Sequence, residues 1–224
     1  MSETEYDVIV AGYGPVGETC ANLLGYYGIK ALILDKEKNT YPLPRAITWD
    51  AECQRAMSHC EFLSEVKTRK IRGVDNKDAN KKSIMKITME GFDTYNYQHR
   101  ILFIHQPQFD EAHRENAKKY PTNTIKTGSE LLAVDEVNGI INCTYKNIDT
   151  DEKFTVKSKY LLACDGANST VRKLNGIKLN SLDADESWMV VDGYTKSSFE
   201  CFADIDAIQS VSYTHLRAHE TTDN

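Results

Sequence analysis

The sequence has no long apolar run. None of its 224 residues lies in a stretch that approaches the ~20 consecutive apolar residues of a membrane span. The N-terminus, residues 1–5, also lacks the basic start and the apolar core of a signal peptide. We therefore expect a soluble, cytoplasmic protein without a membrane partner.

Paired cysteine motifs are missing as well. The six cysteines are scattered, with no C-x-x-C pair and no zinc-like spacing, so free and mostly buried thiols are the simplest interpretation. Cys53 and Cys60 lie seven positions apart in a predicted helix and would share a face, where core filling is favoured over a redox pair. No Ser-His-Asp arrangement or metal-ligand pattern is present, so we assign no catalytic residue and no metal ligand.

An excess of positive charge is absent too. With 33 acidic against 27 basic residues, the formal net charge is −6, which provides no general attraction for nucleic acid. Residues 67–86 are locally basic, but no aromatic side chains that could stack on bases alternate with the charges. This pattern predicts a solvated, partly flexible surface segment.

A glycine-rich turn is the most informative feature that is present. The apolar run at residues 6–11 leads directly into the G-x-G-x-x-G motif at residues 12–17, Gly12-Tyr13-Gly14-Pro15-Val16-Gly17. Gly12 allows a tight turn, Gly14 lets the backbone approach phosphates, and Gly17 lets the next helix pack on the strand. The N–H groups that begin that helix would then face a pyrophosphate.

The motif lies within a complete β-α-β unit. A helical stretch follows Gly17, and residues 31–34 form a second short apolar strand that leads to Asp35. Asp35 lies 18 residues past Gly17, close to the roughly 20-residue offset at which an acid reaches the ribose of a dinucleotide. The unit therefore predicts dinucleotide binding and leaves open which dinucleotide is bound.

The rest of the chain delivers further polar residues to the ends of predicted elements. Prolines hold Arg45 in an extended loop, and Gln106 lies between a short strand and a helix. A final apolar strand ends at Asp165-Gly166. Asp165 could serve a ligand at this strand end or could simply cap the next helix. The predicted elements are a helix at 50–63 with Asp50 as N-cap, a strand at 101–104, a helix at 109–119, a three-stranded meander at 131–134, 140–145 and 154–156, and a strand at 160–164.

Five of these segments together resemble a known family. They are the glycine motif, the acid Asp35, the Pro44-Arg45-Ala46 loop, Gln106 within Gln-Pro-Gln, and the segment Asp165-Gly166-x-x-Ser169-x-x-Arg172. In this order they resemble the class A FAD-dependent aromatic hydroxylases of the p-hydroxybenzoate hydroxylase superfamily. The resemblance spans residue 6 to about residue 194 and is greatest to the 3-(3-hydroxyphenyl)propionate, phenol and polyketide hydroxylase branch.

The resemblance implies a set of cofactor-binding residues. The motif residues Gly12, Gly14, Pro15, Val16 and Gly17 would surround the FAD pyrophosphate. Asp35 would bind the adenosine ribose, although Glu is commoner there in the family. Arg45 and Gln106 would approach the flavin, and Asp165, Gly166 and Arg172 would form a motif associated with both FAD and NAD(P)H.

The resemblance also implies a fold and an activity. The fold would be α/β: a Rossmann-like FAD-binding domain with a parallel sheet, helices and a three-stranded meander, followed by the start of a β-sheet substrate domain. The expected FAD-binding domain covers residues 1–74 and 101–180, and the expected partial substrate sheet covers 75–100 and 181–210. The activity would be hydroxylation of a phenolic substrate by an FAD monooxygenase with O2 and with NADPH or NADH as reductant.

Later family motifs have no counterpart in this sequence. We therefore expect an N-terminal fragment that binds FAD weakly and is inactive alone, with residues 211–224 as a non-native tail. Two alternatives remain at this point: an NAD-dependent dehydrogenase or reductase, and a non-catalytic dinucleotide-binding module. The sequence does not determine the aromatic substrate, the choice between NADH and NADPH, or the oligomeric state.

Overall fold

A computed structural model describes residues 5–43, 45–60, 66–89 and 99–180, together with the backbone of residues 207–210. The helices and strands of these residues are β1 (Tyr6–Ala11), α1 (Pro15–Tyr26), β2 (Ala31–Asp35), β3 (Thr48–Asp50), α2 (Ala51–Met57), a 3-10 helix (Ser58–Cys60), β4 (Thr68–Lys70), β5 (Gly73–Lys77), β6 (Ser83–Thr88), β7 (Ile101–Ile104), α3 (Gln106–Lys118), β8 (Asn123–Thr127), β9 (Ser129–Val137), β10 (Ile140–Asn147), β11 (Lys153–Ala163), α4 (Thr170–Leu174) and β12 (Ala207–Ser210).

A six-stranded sheet in the order β8-β2-β1-β11-β10-β9 forms the first unit of the chain. β8, β2, β1 and β11 run parallel, and β11, β10 and β9 form an antiparallel meander. In the central register, Val8 lies opposite Ala31 on one side and Tyr160 on the other. The predicted α/β fold with a parallel sheet and a meander is therefore confirmed.

The core of this unit lies on both faces of β1 and β2, which explains why these strands are continuously apolar. One face packs against α1 and α3, and the other packs against the inner side of the meander. The two buried clusters are Val8, Val10, Tyr13, Ala21, Ala31, Ile33 and Ala117 on the helical side, and Ile9, Leu32, Leu34, Cys143, Tyr145 and Val156 on the meander side.

Strand β11 corrects one sequence expectation. Residues 154–156 and 160–164 were expected to form two separate strands, but the structure has one strand from Lys153 to Ala163. Ser158 lies in the polar stretch between them and is fully buried, and its hydroxyl donates to the carbonyl of Tyr160 at 3.0 Å. Because the Ser158 hydroxyl has this nearby carbonyl as an acceptor, the serine can be buried within a continuous strand, at the point where the polar sequence suggested a break.

The second unit contains two three-stranded sheets, β3-β7-β4 and β12-β5-β6. Residues 67–86 form β4, β5 and most of β6, so the segment expected to be solvated and partly flexible contains regular strands, and the exposure of β4 agrees with the solvated part of that expectation. All six residues of β6 are exposed, so its lysine lies in a strand and still faces solvent.

The predicted helix at 50–63 is shorter in the structure. α2 ends at Met57 and continues as the 3-10 helix, while residues 61–65 lie outside the described part of the chain. Asp50 begins this helix as predicted, because its Oδ1 accepts from the N–H of Cys53 at 2.8 Å.

The domain boundaries stay a prediction. Contacts place β3, β4 and β7 in the second unit, whereas the sequence division put residues 48–50, 68–70 and 101–104 in the FAD-binding domain. These strands pair only with one another in the described structure, which explains the grouping. None of the helices among the described residues is long and apolar enough to cross a membrane.

Candidate functional site

Two turns meet at one edge of the six-stranded sheet. β1 and β11 are parallel neighbours that end at Ala11 and Ala163, so the residues that follow them emerge side by side. Cys164 donates its N–H to the carbonyl of Ala11 at 2.7 Å. Gly12 has φ +98°, and a Cβ on it would overlap the carbonyl oxygen of Cys164. The glycine motif and the Asp165 segment are therefore packed against each other through their backbones.

Gly17 and Gly14 have different surroundings. A Cβ on Gly17 would overlap the carbonyl oxygen of Gly12, so this glycine is required for the helix to pack against the turn. A Cβ on Gly14 would meet nothing within 4 Å, which leaves open space over the backbone at this residue.

The start of α1 is suited to an anion. Gly14 is the N-cap residue, Pro15 occupies the first turn, and no side chain caps the helix. Val16 is 64 % exposed, so the first turn of the helix is open to solvent. Uncapped N–H groups and the positive end of the helix dipole fit a phosphate group at this point. The residues present therefore fit the pyrophosphate of a dinucleotide.

Asp35 holds the glycine-rich turn. Its Oδ2 accepts from the N–H of Tyr13 at 2.6 Å, and its Oδ1 accepts from the N–H of Glu37 at 2.7 Å. A carboxylate has about four acceptor positions, so two remain for a ribose diol. The side chain is only 12 % exposed, and its role in binding ribose stays a prediction.

Asp165 organises the turn that follows β11. Its carboxylate accepts from the hydroxyl of Ser169 at 2.5 Å and from the N–H groups of Thr170 and Val171 at 2.6 and 3.0 Å. It therefore binds the beginning of α4, as the capping alternative expected, while Ser169 is the N-cap residue itself. Gly166 has φ +76° with open space around it.

The side chain of Arg172 contacts the segment that follows α4. Its guanidinium donates to the carbonyl of Ile177 at 3.1 Å, and its backbone N–H donates to Ser169 Oγ at 3.0 Å. The side chain thus fixes the residues after α4 rather than the Asp165 turn. The backbone N–H of Arg172 does contact Ser169 in that turn, and the role of Arg172 in the cofactor loop stays a prediction.

Gln106 and Arg45 are brought together, but through the backbone. Gln106 is buried, and its Oε1 accepts from the N–H groups of Arg45 and Ala46 at 2.7 Å each. Its Nε2 donates to Asp110 Oδ2 at 3.3 Å. The Arg45 side chain is exposed and lies over the ring of Tyr41, 4.1 Å from its centroid. Gln106 therefore positions the Arg45 loop, and contact of either side chain with a flavin stays a prediction.

The sequence reasoning missed a buried polar cluster that supports the turn. Arg114 on α3 donates from Nε to Glu18 Oε1 on α1 at 2.7 Å and from Nη2 to the carbonyl of Tyr13. Nη2 also lies 3.9 Å from Asp35 Oδ2, and the guanidinium covers the ring of Tyr13. Arg114 therefore ties α3 to α1, to the glycine-rich turn and to its acid.

Burial dominates the electrostatics of this cluster. Burial raises the pKa of Glu18 to about 7, although Arg114 acts in the opposite direction. Burial and the nearby Glu18 carboxylate raise the pKa of Asp110 to about 6. His113 Nδ1 lies 3.7 Å from Glu18 Oε2, and burial lowers the pKa of His113 to about 4. Glu18, Asp110 and His113 therefore have pKa values well away from their ordinary ranges. Arg114 forms an ion pair with the buried Glu18.

Within the described ranges, no group of three or more His, Cys, Asp or Glu side chains is placed to hold a metal ion. The chemistry of the site as described is therefore that of backbone N–H groups, carboxylates and one buried arginine. The signal that could have revealed the cluster is the pair of charged positions Glu18 and Arg114, which lie on two helices that pack on the same sheet.

Comparison with known sequences agrees with this geometry. Residues 5–220 match the family model described as FAD binding domain. The 3-(3-hydroxy-phenyl)propionate/3-hydroxycinnamic acid hydroxylase of Comamonas testosteroni is 30 % identical over 193 residues, which are 85 % of this chain and 32 % of that protein. The hydroxylase of the same name from Escherichia coli O139:H28 is 31 % identical over 190 residues, which are 83 % of this chain and 33 % of that protein. The chain thus spans about a third of the length of these curated relatives.

Solved structures show the same fold. The p-nitrophenol 4-monooxygenase PnpA from Pseudomonas putida DLL-E4 is similar with a TM-score of 0.68 and 25 % identity, over 78 % of this chain and 44 % of that one. The flavin-dependent monooxygenase PieE, solved in complex with FAD and substrate, gives a TM-score of 0.67 at 18 % identity, over 76 % of this chain and 32 % of that one. The sequence match, the fold and the paired turns agree, and the chain belongs to the FAD binding domain family.

Proposed function

We propose that this chain is the FAD-binding part of an NAD(P)H-dependent flavoprotein monooxygenase that hydroxylates a small phenolic substrate with O2. The observation that carries the proposal is the meeting of the Gly12–Gly17 turn and the Asp165-Gly166 turn at one edge of a parallel sheet. In open α/β sheets, ligands bind beyond the carboxyl ends of the strands. FAD, when bound, supplies the chemistry by which a reductant and O2 hydroxylate the ring.

The residues of this chain would bind and orient the cofactor. The N-terminus of α1, with Gly12, Gly14, Pro15, Val16 and Gly17, would hold the pyrophosphate. Asp35 would accept hydrogen bonds from the adenosine ribose with its remaining lone pairs. Arg45, positioned by Gln106, and the turn at Asp165, Gly166 and Arg172 would lie toward the flavin.

The hydroxylase proposal is supported by the relatives. The curated proteins are hydroxylases of phenolic acids by name, and PnpA is a monooxygenase that acts on p-nitrophenol by name. The alternatives of an NAD-dependent dehydrogenase and a non-catalytic module are not favoured by these matches. The predicted non-native tail at 211–224 lies outside the described residues, and the family match continues to residue 220.

Gly14 offers a test that separates cofactor binding from folding. Its φ of −87° and ψ of −170° suit any residue, and a Cβ there touches nothing in the protein. We expect Gly14→Ala to leave the free energy of unfolding within about 0.5 kcal/mol. The added methyl group would occupy the space above the turn, so FAD affinity should fall about tenfold or more, because tenfold requires only ~1.4 kcal/mol. Flavin fluorescence titration of the purified chain measures this ratio.

Gly28, just beyond the other end of α1, provides a matched control. A Cβ there also meets open space, but φ is +70°, so Gly28→Ala should cost roughly 1 kcal/mol of stability. Its FAD affinity should stay unchanged. The proposed pyrophosphate site would be wrong if Gly14→Ala bound FAD as tightly as the unmodified chain, or if both alanine variants weakened binding equally.

A further inference from the structure

Two cysteines far apart in sequence meet beneath the paired turns. Cys20 on α1 and Cys164 at the end of β11 have their Sγ atoms 4.0 Å apart and are separated by 144 positions in the chain. Both are partly buried, so small molecules can reach them. The spacing of Cys53 and Cys60 predicts a shared helix face, but Cys53 is exposed while Cys60 is buried.

The backbone around this pair is closely packed. Cys164 is fixed by its N–H bond to Ala11, and its Cβ would lie 3.5 Å from a Cβ placed on Gly17. Gly17 is one helical turn before Cys20, so the face of α1 that carries Cys20 runs directly along Cys164. A disulfide requires an S–S distance of about 2 Å, so its formation needs the two side chains to rotate and bring their sulfur atoms together from 4.0 Å.

We propose that Cys20 and Cys164 form an oxidation site in which a peroxide converts the two thiols into a disulfide. The Cys20 thiolate attacks one oxygen of hydrogen peroxide, the O–O bond breaks, and hydroxide leaves as the sulfenic acid of Cys20 forms. The sulfur of Cys164 then attacks the sulfenic sulfur, the S–S bond forms, and a second hydroxide leaves. Two thiols are oxidised, one peroxide is reduced, and the released hydroxides and thiol protons give two water molecules.

The contact between the two sulfur atoms supports Cys20 as the attacking group. A hydrogen bond from the Cys164 thiol lowers the pKa of Cys20 to about 7, and the same contact raises the pKa of Cys164. A thiolate is the nucleophile in such reactions, and a pKa near the ambient pH is favourable for attack. By contrast, burial raises the pKa of Cys143 to about 12, so this thiol stays protonated.

The disulfide would join the two halves of the cofactor edge. Cys20 follows the glycine-rich turn by one helical turn, and Cys164 directly precedes Asp165. The crosslink would therefore fix α1 and its N–H groups to the strand end that carries the Asp165 turn.

Mass spectrometry of the full chain tests the proposal without any variant. The reduced chain is treated with limiting hydrogen peroxide, its remaining thiols are alkylated, and it is digested without reduction. We expect a peptide pair linking Cys20 to Cys164 as the main disulfide, an intact mass lower by two hydrogen atoms, and reversal by dithiothreitol.

Serine variants then separate the two roles. In Cys164→Ser, Cys20 should stop at the sulfenic acid and react with dimedone, whereas in Cys20→Ser the Cys164 thiol should remain alkylatable. Oxidation of the exposed Cys53 with Cys20 and Cys164 both left as thiols would overturn the proposal, and so would disulfides formed only between other cysteines. None of these readouts requires bound FAD, so they stay independent of the proposed function.

Discussion

Replacing Arg114 by methionine should reveal how much the buried cluster contributes to the stability of the cofactor edge. Glu18 is fully buried, and Arg114 supplies the cation that faces its carboxylate at 2.7 Å. Even with this partner, burial raises the pKa of Glu18 from its ordinary 4.5 to about 7. That difference corresponds to a net of about 3 kcal/mol by which the charged form is disfavoured with Arg114 in place.

The loss should depend on pH. Without Arg114 at pH 8, Glu18 must either keep its charge without a cation or take up a proton, and uptake one pH unit above a pKa of about 7 costs about 1.4 kcal/mol. Together with the lost hydrogen bonds, the free energy of unfolding should therefore fall by about 2–3 kcal/mol at pH 8. At pH 5 the carboxyl is protonated in the folded state, and the loss should shrink to about 1–2 kcal/mol from the hydrogen bonds and the Tyr13 ring contact. Because the pKa of Glu18 is higher in the folded state than in the unfolded state, the cost of charging Glu18 lowers the free energy of unfolding as pH rises above 4.5. Removing Arg114 raises the folded pKa further and extends this range above pH 7.

Urea denaturation followed by far-ultraviolet circular dichroism at both pH values measures these quantities. Lys118→Met is the matched control, because Lys118 forms an exposed pair with Glu115 on the same helix and should change stability by less than about 0.5 kcal/mol. The double variant Glu18→Leu with Arg114→Leu should recover most of the stability. A loss below about 1 kcal/mol at pH 8, an equal loss at pH 5, or a double variant that is no more stable than Arg114→Met would refute the reasoning.

Two further variants probe the neighbouring groups. Burial lowers the pKa of His113 to about 4, so its contribution to stability is complete above pH 6.5 and is lost as pH falls toward 4. In His113→Gln, this loss of unfolding free energy between pH 6.5 and 4 should disappear from urea denaturation, and an unchanged pH profile would contradict the assignment. Gln106→Leu should free the N–H groups of Arg45 and Ala46 and speed tryptic cleavage after Arg45 about tenfold. Gln106→Glu keeps the acceptor oxygen and should leave the cleavage rate unchanged. Equal cleavage rates in both variants and the unmodified chain would contradict the role of Gln106 in positioning this loop.

Local patterns predicted the parts of the fold that local physics determines. The glycine motif, the apolar strands at 6–11 and 31–34, and the turn at Asp165 could be placed because the sequence spacing and the backbone requirement agree. The Asp50 cap followed from the same kind of reasoning.

Non-local contacts account for most of what the sequence did not reveal. Glu18 and Arg114 are 96 positions apart, and each is typical of a solvated helix position when taken alone. The two hydrogen bonds that Gln106 accepts likewise come from a loop 60 and 61 positions away. The strands in the basic segment 67–86 pair with residues of β7 and β12 or with each other, and no periodicity within the segment indicates these partners.

The central position of β1 has a consequence for the order in which the chain can fold during synthesis. β1 pairs with β2 within the first 35 residues, but its other neighbour, β11, places Tyr160 opposite Val8, 152 positions later. At a translation rate of roughly 5–20 residues per second, one apolar edge of β1 waits about 8–30 seconds for its partner strand. During this interval the unpaired N–H and C=O groups of that edge can pair with another strand, so wrong strand pairing and aggregation compete with correct folding until β11 is made.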